Sequence, residues 1–352
     1  MVRFGAFGDT VLLIPMLKAL AARYGRRCDV VSSGPWVEPL LSRVPSVDEQ
    51  IVLTSRRAPY LLNRSQHRLV RWLRTRPPGP VYVAESDEKT HWLLARGGVT
   101  QEWICTLRDC PRLPGEHIVT HMLRLAAATP PALRHRPPPD VDWQWARDLR
   151  PSLSEADRRD CRDWIAVHRL GNAPLVLLQP GNKRTMRRGS RRRASNIKYW
   201  PEAHWAHVIA AIHTLLPAAR VVLCGAPGER ALAEDIARRV PDSDIVIATD
   251  DLPIPRLLAL LERAHSMISV DTGPAHAAAA MGCPLVVLHP LLDTTLYAPV
   301  PSIGLVRMLT PDPSDIRMAS IRPERVVEAW RRLIASTDRT RAAFLRHAQE
   351  PA

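Results

Sequence analysis

Two glycines and an aspartate near the start of the chain are the first residues whose spacing indicates chemistry. The sequence opens MVRFGAFGDTVLLIPMLKAL, so Gly5, Gly8 and Asp9 separate a short apolar stretch from an apolar run that begins at Thr10. A glycine-rich turn between a strand and a helix leaves backbone N–H groups available and lets a ligand approach the main chain. The opening therefore predicts a binding site at the carboxyl end of a strand.

A second pattern combines an apolar strand, a tight turn and a helix start. In SMISVDTGPAHAAAAMG the strand ends at Val270, and Asp271, Thr272 and Gly273 form the turn. The N–H groups at such a helix start bind phosphate, and His276 is close enough to reach a ligand there. A helix that is merely capped, with Asp271 or Thr272 as N-cap, is the alternative.

Two further polar residues follow other predicted strands. Lys198 stands after the strand LVLLQPG and just before a helix that begins near Pro201, where an ammonium group suits a diphosphate. Glu229 follows the strand in VVLCGAPGER, where a carboxylate can accept hydrogen bonds from ribose hydroxyls. The alternatives are an exposed lysine without a ligand and a carboxylate that only complements its helix N-terminus.

One cluster of positive charge is set apart from the rest of a basic chain. The formal net charge is +14, which indicates a polyanionic partner such as nucleic acid, an anionic membrane surface or a phosphorylated substrate. Seven of the eleven residues in KRTMRRGSRRR (183–193) are basic. Arg187 and Arg188 are therefore candidate phosphate contacts, and a solvated loop is the alternative.

These residues need strands and helices to position them, and the chain alternates between the two. After an expected helix over Thr10–Tyr24, apolar strands and amphipathic helices alternate on both sides of the proline-rich stretch TPPALRHRPPPD. This order is typical of parallel sheets covered by helices. We predict an α/β protein with Rossmann-like domains over 1–150 and 151–320, and a C-terminal segment, 321–352, that packs back on the first domain.

Composition excludes several other classes of protein. With 352 residues and 46% hydrophobic content the chain can form two cores, and no stretch of eighteen uncharged apolar residues occurs. The start lacks a signal-peptide pattern, so we expect a cytoplasmic protein. The six cysteines include no C-x-x-C pair, which argues against a zinc site or a disulfide framework. Asp140 and Asp142 spell D-x-D, but they follow three prolines rather than an apolar strand.

The motifs together resemble those of one enzyme family. G-x-x-G-D at 5–9, K-x-W-P at 198–201, G-A-P-x-E at 225–229 and S-V-D-T-G-P-x-H at 269–276 look like the glycosyltransferase family that contains the ADP-heptose:lipopolysaccharide heptosyltransferases. Each motif is weak alone, but their order along nearly the whole chain is specific.

The resemblance implies a GT-B fold, in which two Rossmann-like domains face each other across a cleft. It also implies metal-independent, inverting transfer from a nucleotide-diphosphate sugar, with no cofactor. The acceptor would bind the first domain and the donor the second. For this chain we expect ADP-heptose as donor and a lipopolysaccharide core or related anionic, lipid-linked glycan as acceptor, with peripheral contact to the anionic inner membrane.

Within that family mechanism, Asp9 is the expected general base, which takes the proton of the acceptor hydroxyl. Gly5 and Gly8 would let the acceptor approach, and Thr10 is a further expected substrate contact. The alternative for Asp9 is the N-cap of the Thr10 helix. Lys198 and the helix start near Gly273 would stabilise the departing nucleoside diphosphate.

Two other functions stay open. The chain could be a GT-B transferase that uses a different nucleotide sugar, or a non-catalytic protein that binds nucleotides or nucleic acid. No helix-turn-helix, zinc finger or aromatic RNA-binding pattern is recognisable, so no specific nucleic-acid partner is expected.

Overall fold

The computed structural model describes residues 1–55, 58–182, 193–241, 243–290, 295–302 and 304–347. Two compact units divide the chain. The first comprises Met1–Ser152 with Thr295–Ala298, and the second comprises Leu153–Thr294 with Pro299–Ala352. In the described part of the chain, no helix has the length and apolar character needed to cross a membrane.

The N-terminal segment 1–4 is the middle strand of the first unit's sheet. Val2 bridges Val31 on one side and Val83 on the other, both in parallel orientation. The sheet order is therefore β2–β1–segment 1–4–β3–β4. Its strands are β1 (Cys28–Ser32), β2 (Val47–Val52), β3 (Val81–Val83) and β4 (Ile104–Thr106). A short first strand suffices because neighbours on both sides hold it.

Helices follow the strands of the first unit and cover its sheet. The expected single helix over Thr10–Tyr24 is instead two helices that meet at Leu13, since Pro15 in the first turn of the second has no N–H to donate. The helices are α1 (Phe7–Leu12), α2 (Ile14–Tyr24), α3 (Val37–Leu41), α4 (Arg64–Arg74), α5 (Glu88–Arg96) and α6 (Ile118–Ala127).

The second unit is built on a six-stranded parallel sheet. Its order is β10–β9–β8–β5–β6–β7, so the chain leaves β5 in one direction and later returns to its other side at β8. Ligands of such sheets bind at this reversal, beyond the carboxyl ends of the strands. The strands are β5 (Leu175–Gln179), β6 (Arg220–Cys224), β7 (Ile245–Ala248), β8 (Ser266–Val270), β9 (Leu285–Leu288) and β10 (Val306–Leu309).

Among the described residues, six helices accompany the second sheet, and tryptophans fill much of the space beneath them. Trp200, Trp205 and Trp330 are fully buried in one apolar cluster with the strands. The helices are α7 (Glu155–Val167), α8 (Glu202–Leu215), α9 (Arg230–Ala237), α10 (Ile254–Arg263), α11 (Gly273–Met281) and α12 (Pro323–His347).

The C-terminal helix α12 differs from the sequence-based expectation. Val326, Trp330 and Leu333 lie on one face of the helix and are buried in the core of the second unit. The Trp330 indole N–H also donates to Ser266 Oγ at 2.8 Å. The expectation that this segment packs back on the first domain is therefore corrected for these residues, because their apolar stripe covers the second unit's own sheet.

A histidine attaches residues 295–298 to the first unit. His117 is the N-cap of α6, and its Nδ1 accepts the Val119 N–H at 3.2 Å. Its Nε2 lies 2.9 Å from the Ala298 carbonyl, which can only accept, so Nε2 carries the proton. The imidazole thus makes both contacts in its neutral form. Burial lowers the pKa of His117 and outweighs the opposing effect of the Ala298 carbonyl.

We predict that His117 makes the first unit lose stability in mild acid. Because the pKa of His117 is lower in the folded protein, the unfolded chain binds the proton at a higher pH. The free energy of unfolding is therefore unaffected by this group above pH about 6.5, and it decreases below that pH by at most about 1.4 kcal/mol per pH unit. His117→Asn keeps an N-cap acceptor but cannot titrate. Denaturant unfolding at about pH 7.5 and about pH 5.5 should show a smaller loss for the variant; an equal loss would contradict this role.

Candidate active site

Asp9 lies in the first turn of α1 and folds back on the preceding turn. Its Oδ2 accepts the Ala6 N–H at 2.8 Å, while Ala6 itself is the N-cap residue. The N-cap interpretation is therefore corrected, because α1 begins at Phe7 and places Asp9 at its third position. The carboxylate still satisfies one backbone donor at the helix start, as the third residue of a capping box does.

Gly5 is required by the position of the Asp9 side chain. A Cβ atom on residue 5 would lie 2.5 Å from the Asp9 Cβ, much closer than two such carbons can approach. Gly8 and Thr10 are buried within α1, and the Thr10 hydroxyl donates to the Ala6 carbonyl at 3.1 Å. The four residues predicted from the opening motif thus lie together, and the Thr10 hydroxyl is already used in a hydrogen bond at the start of its own helix.

Two residues that the motif did not single out flank Asp9. Arg3 places Nη2 3.6 Å from Asp9 Oδ1 and Nη1 3.8 Å from Glu85 Oε1. Glu85 also accepts the Phe4 N–H at 2.7 Å. Glu85 follows β3, so its position at a strand's carboxyl end is the signal that could have identified it. The edge of the first sheet therefore presents two carboxylates on either side of one guanidinium group.

In the second unit, Lys198 and Asp271 form an ion pair. Lys198 Nζ lies 2.5 Å from Asp271 Oδ2 and 3.5 Å from the Asp271 carbonyl oxygen. The backbone N–H of Lys198 donates to Asn196 Oδ1 at 3.1 Å, which fixes the approach to α8. Asp271 is buried at the end of β8, whereas 33% of the lysine side chain is exposed. The lysine side chain is thus partly accessible, and the ion pair lies at the carboxyl end of β8, where ligands of this sheet type bind.

The N-terminus of α11 adjoins this ion pair. Thr272 is the N-cap residue, yet its side chain makes no capping hydrogen bond, and Gly273 opens the helix. Because the carboxylate of Asp271 faces Lys198, neither predicted capping side chain covers the first-turn N–H groups. A nine-residue helix has positive partial charge at this end. His276 is buried in the same turn.

His289 is a third member of this group and was not predicted. It follows β9, and its Nε2 lies 3.5 Å from Asp271 Oδ2. Its Nδ1 donates to the Pro290 carbonyl at 2.8 Å, because a carbonyl oxygen can only accept. The other ring nitrogen, Nε2, is the atom that faces Asp271. A histidine at the end of the strand PLVVLHP, next to the strand that ends in Asp271, was the available signal.

Glu229 occupies a separate position, at the end of β6. Its Oε2 accepts the Ala226 N–H at 2.8 Å, and Gln179 Nε2 at the end of β5 lies 3.5 Å away. The side chain is buried. This geometry matches the helix-terminus interpretation of Glu229, and contact with a ribose stays a prediction.

The two acidic motifs use one local design. Residues 5–9 read GAFGD and residues 225–229 read GAPGE, and in each the carboxylate accepts the N–H of the alanine after the first glycine at 2.8 Å. A Cβ on Gly225 would lie 3.2 Å from Glu229 Oε2, so this glycine also makes room for its acidic partner.

The basic cluster is only partly described. Arg187 and Arg188 lie outside the described residues, so their predicted phosphate contacts stay untested. Arg193, at the end of the cluster, is buried and donates to Glu202 Oε1 at 2.8 Å and to Asp235 Oδ2 at 2.6 Å. Arg193 is therefore a structural member of the basic cluster, because two carboxylates of its own unit already hold it.

Comparisons with known proteins give the family. The model of glycosyltransferase family 9 (heptosyltransferase) matches residues 108–301, more than half of the chain. Lipopolysaccharide heptosyltransferase 3 of Escherichia coli is 33% identical over 104 residues, a match that covers 29% of this chain and 30% of that enzyme.

Solved structures share the fold along nearly the whole chain. The glycosyl transferase family 9 protein of Veillonella parvula superposes with a TM-score of 0.74 at 17% identity and covers 95% of this chain and 96% of its own. ADP-heptose lps heptosyltransferase II of E. coli gives a TM-score of 0.69 at 19% identity, with 96% and 99% covered. The predicted α/β, GT-B fold class is confirmed, and the chain belongs to glycosyltransferase family 9, the heptosyltransferase family.

Proposed function

We propose that this glycosyltransferase moves a heptose from ADP-heptose to a lipopolysaccharide core or a related anionic glycan, with inversion and without a metal or other cofactor. The Lys198–Asp271 pair beside the α11 N-terminus is the observation that carries the proposal, because it puts cationic groups where a diphosphate needs them. The names of the E. coli relatives support the choice of donor and acceptor. Cytoplasmic location and peripheral contact with the inner membrane belong to the same proposal.

On the donor side, the protein must stabilise negative charge as the bond from the anomeric carbon to the diphosphate breaks. The Lys198 ammonium turns from Asp271 to a phosphate oxygen, and the N–H groups of the first turn of α11 receive the rest of the charge. After the lysine has turned, His289 Nε2 still lies beside the Asp271 carboxylate, from which it is 3.5 Å away in this structure. Each hydrogen bond to a charged group is worth about 1.5–3 kcal/mol.

On the acceptor side, a hydroxyl oxygen attacks the anomeric carbon and gives up its proton. Asp9 accepts that proton through Oδ1, since Oδ2 is held by the Ala6 N–H. Arg3, 3.6 Å from Oδ1, keeps the carboxylate facing the carboxyl edge of the sheet. The electron pair of the broken bond leaves with the nucleoside diphosphate, so the step needs no other reactant.

The alternatives differ in measurable ways. A transferase for another nucleotide sugar would turn over a different donor, and if the nucleotide base also differed it would bind ADP no better than other nucleoside diphosphates. A non-catalytic protein would bind a nucleotide and transfer nothing from any donor. Activity in excess EDTA tests the metal-independent part, since a required divalent ion would be removed.

We predict that Lys198→Ala weakens ADP binding by roughly 10- to 100-fold, the loss of one hydrogen bond to a charged group. Isothermal titration with ADP and with adenosine measures this directly. Adenosine, which has no phosphate, should bind the variant and the parent protein alike. Lys89→Ala removes an exposed lysine of the first unit and is the matched control. Equal loss of ADP and adenosine binding would make Lys198 a structural residue and remove the proposed diphosphate site.

We predict that Asp9→Asn lowers turnover by about 100-fold or more while ADP binding stays unchanged, because the amide still accepts the Ala6 N–H but cannot take a proton. Asp157→Asn is the matched control, since Asp157 also accepts the N-cap N–H of its helix, from Ser154 at 3.0 Å. Steady-state rates with ADP-heptose measure both variants. Turnover of Asp9→Asn within threefold of the control would exclude Asp9 as the base.

A further inference from the structure

Two adjacent leucines of the first unit are exposed to solvent. Leu61 and Leu62 form the 3₁₀ turn that begins at Tyr60, and 83% and 82% of their surfaces are accessible. Trp92 on α5 is 48% exposed. A single exposed apolar side chain needs no explanation, but several large ones close together indicate an interaction surface.

Aromatic contacts join the turn that carries the leucines to the helix that carries Trp92. The ring of Tyr60 meets the ring of Trp92 edge-on, with centroids 5.4 Å apart. The Arg96 guanidinium lies 4.4 Å from the Tyr60 ring and 5.2 Å from the Trp92 ring. The turn with the leucines and the helix with the tryptophan are therefore held side by side under a cation.

A buried polar network fixes the turn in this exposed position. Asn63 Oδ1 accepts the N–H groups of Ser65 and Gln66, and Asn63 Nδ2 donates to the Ser55 carbonyl at 2.7 Å. Gln66 Nε2 donates to the same carbonyl at 2.9 Å. Asn63 and Gln66 are buried, so the protein maintains the leucines outside its core by satisfied hydrogen bonds.

The helix that follows the turn adds positive charge next to the leucines. Helix α4 has no acidic residue, and its arginines recur at helical spacing with exposed side chains: Arg64, Arg68, Arg71 and Arg74. No carboxylate in the described part of the chain forms an ion pair with these four groups. The opposite side of the helix, with Leu69 and Val70, is buried in the core of the first unit.

We propose that Leu61, Leu62, Trp92, Arg64, Arg68 and Arg71, the leucine–arginine surface, dock the protein on an anionic lipid bilayer. Leucines enter the acyl boundary, tryptophan favours the interface, and arginines pair with lipid phosphates. A bilayer supplies the apolar and anionic layers side by side, as this surface requires. Duplex nucleic acid would engage the arginines and leave the two leucines in water. The inference rests on the proposed function for the peripheral membrane contact, to which it assigns a surface, and it depends on no step of the transfer reaction.

The first test measures the contribution of the leucines with vesicles of phosphatidylcholine that contain about one quarter phosphatidylglycerol. Leu61→Ser with Leu62→Ser should lower the partition coefficient in a sedimentation assay by about tenfold or more. Val167→Ser is the matched control, because Val167 is 77% exposed on the second unit, and it should bind within twofold of the parent protein. Both leucines are exposed, so unfolding midpoints should not change.

The second test measures the contribution of the charge. Arg64→Gln, Arg68→Gln and Arg71→Gln together should weaken binding to anionic vesicles and flatten its dependence on salt. Arg134→Gln, Arg136→Gln and Arg159→Gln remove equal charge from other exposed positions and should have little effect.

Several results would overturn the proposal. The proposal is wrong if the leucine variants bind vesicles as well as the parent protein does. It is also wrong if the control variants lose as much vesicle binding as the test variants. Duplex DNA that competes for the arginines while the leucine variants retain full vesicle binding would assign the surface to polyanions in general. Binding of ADP is measured in parallel, and its retention in every variant separates this inference from the proposed transfer function.

Discussion

The buried carboxylate of Asp271 is the constraint on which the second unit's site depends. It directly follows the last residue of β8, at the reversal of the sheet order, where a charge without partners would be costly. Lys198 from the loop before α8 and His289 from the end of β9 both face it. Three separate elements thus meet at one anion, and Lys198, the partly exposed member, is the group that we propose exchanges that anion for a phosphate.

Each of the two acidic motifs that begin with a glycine also has a carboxylate with a structural role. In GAFGD and GAPGE, a carboxylate returns to the backbone N–H that follows the first glycine, and a side chain on that glycine would crowd the acid. The acid therefore serves its helix start in each unit. In the first motif the second carboxylate oxygen faces Arg3, and it is the atom to which we assign the proposed role of base.

The alternation of strands and helices was sufficient to predict an α/β protein with parallel sheets, and the motif resemblance indicated that Lys198 and the helix start near Gly273 serve one diphosphate. Parallel strands bring their carboxyl ends to one edge, so residues far apart in sequence converge there. The sequence did not reveal three side-chain positions: those of His289, Arg3 and the buried Arg193. Each of them depends on a specific partner from another element. The packing of α12 was also missed, since an apolar stripe does not reveal which sheet it covers.

A crystal structure of the protein with ADP tests the central claim most directly. The account predicts the diphosphate at the N-terminus of α11, with a phosphate oxygen within hydrogen-bond distance of Lys198 Nζ and with Asp271 still beside His289. ADP bound away from α11, with the Lys198–Asp271 pair intact, would contradict it.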